Sequence, residues 1–368
     1  MSGAKQRSRR DGRIDILRGI SLLMIFVDHI GGNRVSQITL RNWGFSDAAE
    51  VFVILAGVSS MLAYGRVFEQ EGARHGVVRV ALRCLHLYAA QVVLLVSTFL
   101  IVALWAHYFG TEFLGIEPSR PPGLGAMARA MGLAQLPTFL DILPLYIVLL
   151  ACFPLMQALW RISPAALLLP SLLVWRAAQI YPWLNIHNVP SGGGWFFNPF
   201  AWQFLFALGM ALAVEHRRRG FTLPRWRPLR AVAVVYLLYA LLAVAPWRRW
   251  GWYDWRPLIV FAPDKSTLDP RRILDVVAMI YLALSSERFR AVQDHWLLRP
   301  LATCGRHSLE VFAAGTLLSL LGRLVFTTFG TAPVAQVVVN GGGFAAMMAV
   351  AAWFEHRARQ KMAHRLAA

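Results

Sequence analysis

The chain has 368 residues, of which 57% are hydrophobic and only 15% are charged. Soluble domains usually have about 45–50% apolar and about 25% charged residues, so this composition excludes an ordinary soluble protein. The formal net charge of +18 would by itself suit a nucleic-acid partner. The three cysteines, Cys84, Cys152 and Cys304, lie in apolar stretches without a CxxC pattern, so the sequence predicts neither a disulfide framework nor a metal site.

Apolar stretches of membrane-spanning length dominate the chain. A helix needs about 20 mostly apolar residues to cross the ~30 Å hydrocarbon core of a bilayer, and residues 87–111, 142–160 and 324–354 contain no acidic residue, lysine or arginine. The sequence therefore predicts an all-α integral membrane protein, a bundle of about ten transmembrane helices. The predicted spans begin near Ile14, Asp47, Val77, Pro137, Ser163, Pro199, Leu229, Arg271, Cys304 and Pro333.

The basic residues orient this bundle. Cytoplasmic flanks of membrane helices are enriched in lysine and arginine. With both termini in the cytoplasm, 22 of the 37 basic residues fall in cytoplasmic segments, ten in outer segments and five within spans. We therefore expect basic cytoplasmic ends at residues 1–13 and 355–368, and one helical domain at 14–354. Because orientation explains most of the net charge, no nucleic-acid partner is expected.

Ionisable residues inside the spans are the first functional candidates, because charge is costly in hydrocarbon and is rarely kept there without a role. Arg18 and His29 lie eleven residues apart, which places them on one helix face about 16.5 Å apart along its axis. An elongated anionic ligand entering from the cytoplasm would then meet the guanidinium first and the imidazole last. Asp28 is a further catalytic candidate, although one helical step of about 100° turns it away from His29. Alternatively, Arg18 pairs with Asp15 and reaches the inner interface, while His29 caps a helix end.

Neighbouring spans provide possible partners for these residues. Glu50 is the candidate that would orient the imidazole, and a structural pair with Arg83 or Arg306 is the alternative. Arg83, His86 and Arg306 extend the basic side of the interior. Arg306 and Glu310 stand four residues apart, a spacing typical of an ion pair within one helix.

Aromatic residues gather on the predicted outer side, at residues 195–202 and 247–255, and Lys265 follows in a polar cluster. Aromatics at this level usually form the interfacial belt of a membrane protein. The rival interpretation is a carbohydrate platform, in which Trp195 and Trp202 pack against sugar rings and Asn198 bonds the hydroxyls. Motifs of serine hydrolases, zinc peptidases and nucleotide-binding proteins do not occur in the sequence, so neither a metal nor a resident cofactor is expected.

Five segments occur together and in order: Arg18-x10-His29, residues 44–53 (GFSDAAEVFV), 140–146 (LDILPLY), 195–203 (WFFNPFAWQ) and 305–312 (GRHSLEVF). Together they resemble the membrane acyltransferase-3 superfamily, and more closely its OpgC-type branch, which succinylates osmoregulated periplasmic glucans. The sequence departs from the superfamily at Ala56-Gly57, where a Ser-Gly pair is common. A hydroxyl role at that position is therefore not expected here.

The resemblance implies transfer of an acyl group from a cytoplasmic acyl-CoA, expected to be succinyl-CoA, to a hydroxyl of a periplasmic glucan. It also implies a multi-pass protein of the bacterial inner membrane. The essential arginine and histidine of the superfamily correspond to Arg18 and His29, and its acid in the second span to Glu50. We expect His29 to act as general base with Glu50 orienting it. The expected donor-binding residues are Arg18, Arg83, His86 and Arg306, and the expected acceptor-binding residues are Trp195, Asn198, Trp202 and Lys265.

Other functions stay open at this point. A transporter or flippase for an anionic solute or glycan would need the same polar interior, and an acyltransferase acting on lipid or another surface polysaccharide would share the donor site. The sequence does not distinguish a succinyl from an acetyl group. A basic side chain near His29 would favour a succinyl carboxylate, and Arg34, Arg41 and Arg306 are the candidates.

Overall fold

The structure is a computed structural model that describes residues 11–110, 124–188, 193–219, 223–252 and 261–367, with side chains as far as residue 364. Most of the predicted basic N-terminus and the aromatic residues at 253–255 lie outside these ranges. The described chain is mainly α-helical, and its one small sheet pairs β1 (His187–Asn188) antiparallel with β2 (Gly193–Gly194). The all-α fold class is thus confirmed.

Each predicted span begins at or near a helix. Five helices, α2, α3, α9, α13 and α14, are long and apolar enough to cross a membrane, or six spans if the bent pair α5 and α6 counts as one. The count of ten spans and the cytoplasmic position of both termini stay predictions. The helices in the described ranges are α1 Gly12–Asp28, α2 Ala48–Gln70, α3 Ala73–Phe109, α4 Leu124–Met131, α5 Ile142–Ala151, α6 Phe153–Ile162, α7 Pro164–Ile180, α8 Pro199–Arg218, α9 Arg227–Val244, α10 Pro270–Ser285, α11 Glu287–Val292, α12 Arg299–Arg306, α13 Ser308–Phe329 and α14 Pro333–Ala367.

The fourth predicted span is broken. Its two halves, α5 and α6, meet at Cys152 with a bend of 45°. Pro154 stands in the first turn of α6, where a missing backbone N–H costs nothing. Within a continuous helix the same proline would remove a hydrogen bond and clash with the preceding turn, so the chain starts a new helix instead.

Small residues set the closest contacts between helices. At Gly57 and Gly209 a Cβ atom would overlap a backbone carbonyl of the facing helix, so α2 and α8 touch through their backbones. Gly19 and Gly305 bring α1 against α12 in the same way. Small side chains allow such approach in helical bundles. As a result α1, which carries Arg18, is held rigidly against its neighbour.

Candidate functional site

Two cavities lie at different levels along α1. The inner cavity, about 260 Å³, is lined by Arg18, and the outer cavity, about 520 Å³, is lined by His29 where α1 ends. On α2, Ala49 lines the outer cavity and Phe52 lines the inner one. These two residues are three positions apart, which corresponds to ~4.5 Å along the helix axis, just under one turn. The structure therefore places the arginine and the histidine in two adjacent chambers along one helix.

Arg18 is held from three sides while it lines the inner cavity. Its guanidinium donates to the backbone oxygens of Gly305 at 3.2 Å and Leu55 at 3.3 Å, and it is hydrogen-bonded to the hydroxyl of Ser59. It also lies 3.8 Å from the carboxylate of Asp15. The predicted pair with Asp15 thus exists, and it leaves the side chain on the cavity wall.

Arg83 and Arg306 line the inner cavity as well. Arg306 pairs with Glu355 of α14 at 3.3 Å, and the predicted pair with Glu310 is wrong because the chain leaves helical geometry between α12 and α13. His86 is exposed on α3 and lies outside the lining of this cavity. The structure therefore does not bring His86 to the other three residues expected to bind the donor.

His29 borders the outer cavity together with Asp28. The imidazole packs on the ring of Phe139, with centroids 4.5 Å apart, and its Nδ1 is buried without a hydrogen bond to any residue in the described ranges. The carboxylate of Asp28 accepts a hydrogen bond from the hydroxyl of Thr39 at 2.6 Å. In the described ranges the imidazole packs on an aromatic ring, and neither of the predicted acids forms a hydrogen bond with it.

Four charged side chains form a cluster at the start of α2, which we call the α2 charge cluster. Asp47 and Glu50 make a capping box, in which Glu50 accepts from the Asp47 backbone at 2.9 Å. Arg272 donates to Glu50 at 2.7 Å, and Lys265 donates to Asp47 at 2.6 Å. Although burial alone would lower the pKa of Lys265, the carboxylates of Asp47 and Glu50 raise it above its usual value, so Lys265 stays protonated at neutral pH.

The α2 charge cluster corrects two predictions. Glu50 is fully buried against Arg272, and no hydrogen bond joins it to His29 in the part of the chain that the structure describes. Arg272 is one of the ten basic residues predicted to lie in outer segments, whereas it is buried within α10. Asp275, three residues farther along the same helix, is also buried and accepts from Ser46. An acid at helical spacing from Arg272 was the signal in the sequence that could have placed this helix face in the interior.

The expected sugar platform around the start of α8 is buried. Trp202 is 0% exposed and Trp195 is 3% exposed, and the Trp202 indole donates to the backbone oxygens of Lys265 and Ser266, both at 3.1 Å. Asn198 is also buried and caps α8 by accepting from a backbone amide of its first turn. Trp202 therefore supports the segment that carries Lys265. The burial of all three side chains does not favour the prediction that they meet the acceptor directly.

Other residues form the wall of the outer cavity. Phe196, which is 52% exposed, and Phe197 line it, and the Lys265 ammonium lies 5.5 Å from the Phe197 ring centroid. Asp141 and Arg41 complete the charged part of the wall. The candidate residues predicted from the sequence did not include Phe196, Phe197 or Asp141. All three lie in the segments that carry the family resemblance, and this membership was the signal that could have identified them.

The two cavities differ in their chemistry. The outer one offers an imidazole, carboxylates and aromatic faces, and the inner one offers guanidinium groups suited to phosphate or carboxylate. Among the described residues no group of three or more His, Cys, Asp or Glu side chains could hold a metal ion.

Comparison with known proteins agrees with the resemblance seen in the sequence. A family model described as OpgC protein matches residues 10–359, nearly the whole chain. No curated protein and no solved structure gives a significant match. The OpgC family comprises glucan succinyltransferases in the synthesis of osmoregulated periplasmic glucans. The match therefore supports a transferase with a glucan acceptor, and with the apolar helices it indicates a membrane protein.

Proposed function

The chain belongs to the OpgC protein family, and from this premise we propose that it transfers a succinyl group from a cytoplasmic acyl-CoA to a hydroxyl of a periplasmic glucan. In this proposal ten spans lie in a bacterial inner membrane with both chain termini in the cytoplasm. One observation carries the proposal: Arg18 and His29 line separate, adjacent cavities along α1. A donor from one side of the membrane and an acceptor from the other can meet in such an arrangement.

The inner cavity supports a donor site. Coenzyme A carries phosphate groups at one end of a long flexible arm and the thioester at the other, and guanidinium groups are well suited to bind phosphate. Arg18, Arg83 and Arg306 face this cavity together. The arm would pass the single turn between Phe52 and Ala49 and present the thioester carbonyl to the outer cavity.

The outer cavity supports the chemical step. His29 would take the proton from a glucan hydroxyl as the hydroxyl oxygen attacks the thioester carbonyl. A carbon–oxygen bond forms, the carbon–sulfur bond breaks, and the imidazolium returns its proton to the departing thiolate. The products are a glucan ester and free coenzyme A, and His29 ends in its starting form.

Loss of an inner-cavity arginine tests the donor site. Hydrogen bonds to charged groups are worth about 1.5–3 kcal/mol, so Arg83→Ala should raise KM for succinyl-CoA about 10- to 100-fold. The measurement is thiol release from succinyl-CoA by purified protein with a β-glucan acceptor. Arg18→Ala should have a similar effect, but Arg18 also links α1 to α12, so its unfolding midpoint has to be measured alongside.

A matched control is Arg176→Ala, because Arg176 is an exposed arginine of α7 that bonds only to Gln179 among the described residues. It should leave KM for the donor unchanged. Unchanged KM in Arg83→Ala would contradict the donor site. Glycan or solute flux across vesicles without thiol release would contradict acyl transfer itself and favour the transporter.

The acceptor side is tested at Phe196. Aromatic contacts are worth about 0.5–1.5 kcal/mol beyond burial, so Phe196→Ala should raise KM for the glucan about 2- to 12-fold with an unchanged KM for succinyl-CoA. Trp183→Ala is the control, since Trp183 is 76% exposed and lies outside the lining of the outer cavity. Equal changes in both Michaelis constants would show that Phe196 does not act on the acceptor alone.

A further inference from the structure

The proposed reaction leaves Arg323 without a role. Arg323 lies in α13, six residues before the helix ends at Phe329, and its side chain is half-buried. Its Nε is buried without a hydrogen bond, and no carboxylate among the described residues forms an ion pair with the guanidinium. A cation within a membrane span is costly unless it is paired, so this charge is poised for an anion that the chain does not supply.

Phe139 covers this guanidinium and also touches the candidate base. The Arg323 guanidinium carbon lies 4.5 Å from the Phe139 ring centroid, and the His29 ring centroid lies 4.5 Å from the same point. No more than twice 4.5 Å therefore separates the guanidinium carbon of Arg323 from the centroid of the His29 ring. This separation suits a short ligand with a reacting carbonyl at one end and a negative charge at the other.

The backbone of Phe139 is strained. Its φ angle is 69°, in the left-handed region that residues with a Cβ rarely adopt. The ring also forms part of the outer-cavity wall. Because the strain lies in the backbone of Phe139, a rearrangement that moves its ring off the cation would also relieve that strain.

We infer that Arg323 binds the free carboxylate of a short dicarboxylic acyl group, and that this carboxylate displaces the Phe139 ring. A carboxylate accepts two parallel hydrogen bonds from a guanidinium and neutralises it, whereas an aromatic ring does neither. The inference rests on the proposed acyl transfer and assigns the residue that recognises the carboxylate of the acyl group. Arg323 would select among donors, while His29 remains the group that moves the proton.

The other basic candidates are less suited to this role. Arg306 lies on the inner cavity and already has a carboxylate partner on α14. Arg34 and Arg41 are exposed, so solvent and salt screen their charges. Arg323 lies behind Phe139, which lines the outer cavity. Arg323 combines partial burial, an unpaired charge and closeness to His29.

The test compares two donors that differ in one group. Succinyl-CoA and butyryl-CoA have the same acyl chain, with the terminal carboxylate of the first replaced by a methyl group in the second. In equilibrium binding to the purified protein, we expect the wild type to bind succinyl-CoA at least about tenfold more tightly than butyryl-CoA. Arg323→Gln should remove this preference by weakening succinyl-CoA binding, with butyryl-CoA binding within about twofold of the wild type.

Three further variants complete the experiment. Arg41→Gln removes an exposed cation from the wall of the outer cavity and should keep the preference for succinyl-CoA. Loss of the preference in Arg41→Gln but not in Arg323→Gln would overturn the assignment. Arg323→Lys retains a charge and should keep part of the preference even if the glutamine variant folds poorly. Phe139→Ala uncovers Arg323, so it should bind succinyl-CoA at least as tightly as the wild type, and weaker binding would refute the displacement.

Binding and turnover separate this inference from the proposed function. A wild type that transfers acyl groups but binds both donors equally would refute the role of Arg323 and leave acyl transfer intact. A wild type that prefers succinyl-CoA in binding but releases no thiol would support the carboxylate site and refute the transfer. If it neither binds nor turns over either donor, both proposals are wrong.

Discussion

Replacing His29 by alanine should lower the rate of succinyl transfer to a β-glucan by about 10²–10⁴-fold, the usual contribution of a general base. The loss should appear in kcat, because the arginines of the inner cavity still hold the donor and KM for succinyl-CoA should change little. Ester-linked succinate and free thiol, measured at saturating donor and acceptor, give the rate. The unfolding midpoint should stay close to that of the wild type, since the His29 side chain makes no hydrogen bond to a described residue.

The matched control is His107→Ala. His107 is an exposed histidine near the end of α3, and its ring contacts Tyr108. We expect full activity from this variant. Transfer at the wild-type rate by a folded His29→Ala protein would rule out the proposed base and leave positioning by the cavity as the source of catalysis.

Arg272→Met should be the most destabilising of the substitutions considered. It leaves Glu50, which is fully buried, and Asp47 without the guanidinium that bonds both. Removal of one partner from a buried ion pair typically costs about 3–5 kcal/mol, because the remaining charge stays desolvated. We expect a marked fall in the thermal unfolding midpoint in detergent, with loss of the monodisperse peak on size-exclusion chromatography.

The neighbouring residue provides the control. Arg271 pairs with Asp269 at 2.9 Å, but its side chain is 31% exposed, so Arg271→Met should cost about 0–1 kcal/mol. The double variant Glu50→Gln with Arg272→Met should recover part of the lost stability, since one of the two buried carboxylates is then neutral. Equal effects of the two single substitutions would show that burial of the α2 charge cluster does not govern stability.

The family and the helical fold were accessible from the sequence because both depend on local patterns. Apolar stretches of spanning length predict helices directly, and every predicted span begins at or near one. The eleven-residue spacing of Arg18 and His29 predicts their common helix face, and in the structure they line two cavities along α1. The broken fourth span shows the limit of this approach, since hydropathy alone does not register the effect of Pro154.

The partners of the charged residues could not be predicted in the same way. Glu50 and Arg272 are 222 positions apart, so their contact depends on how α2 and α10 pack rather than on any local spacing. From the sequence, Trp202 could have faced the membrane, the solvent or the protein core. In the structure it lies in the core, where its indole donates to the backbone of Lys265. Sequence periodicity identifies the faces of a helix, but it does not say which neighbour each face meets.

The sequence by itself determined that this is a helical membrane protein of the OpgC family with Arg18 and His29 along one helix, because hydropathy and helical spacing are properties of single segments. The tertiary structure alone decided that Glu50 is bonded to Arg272, that Phe139 packs on His29, and that Arg323 lies unpaired behind that ring. Each of these contacts joins segments far apart in the chain. Only the packing of helices against one another brings such groups within reach of a few ångströms, where hydrogen bonds and ion pairs act.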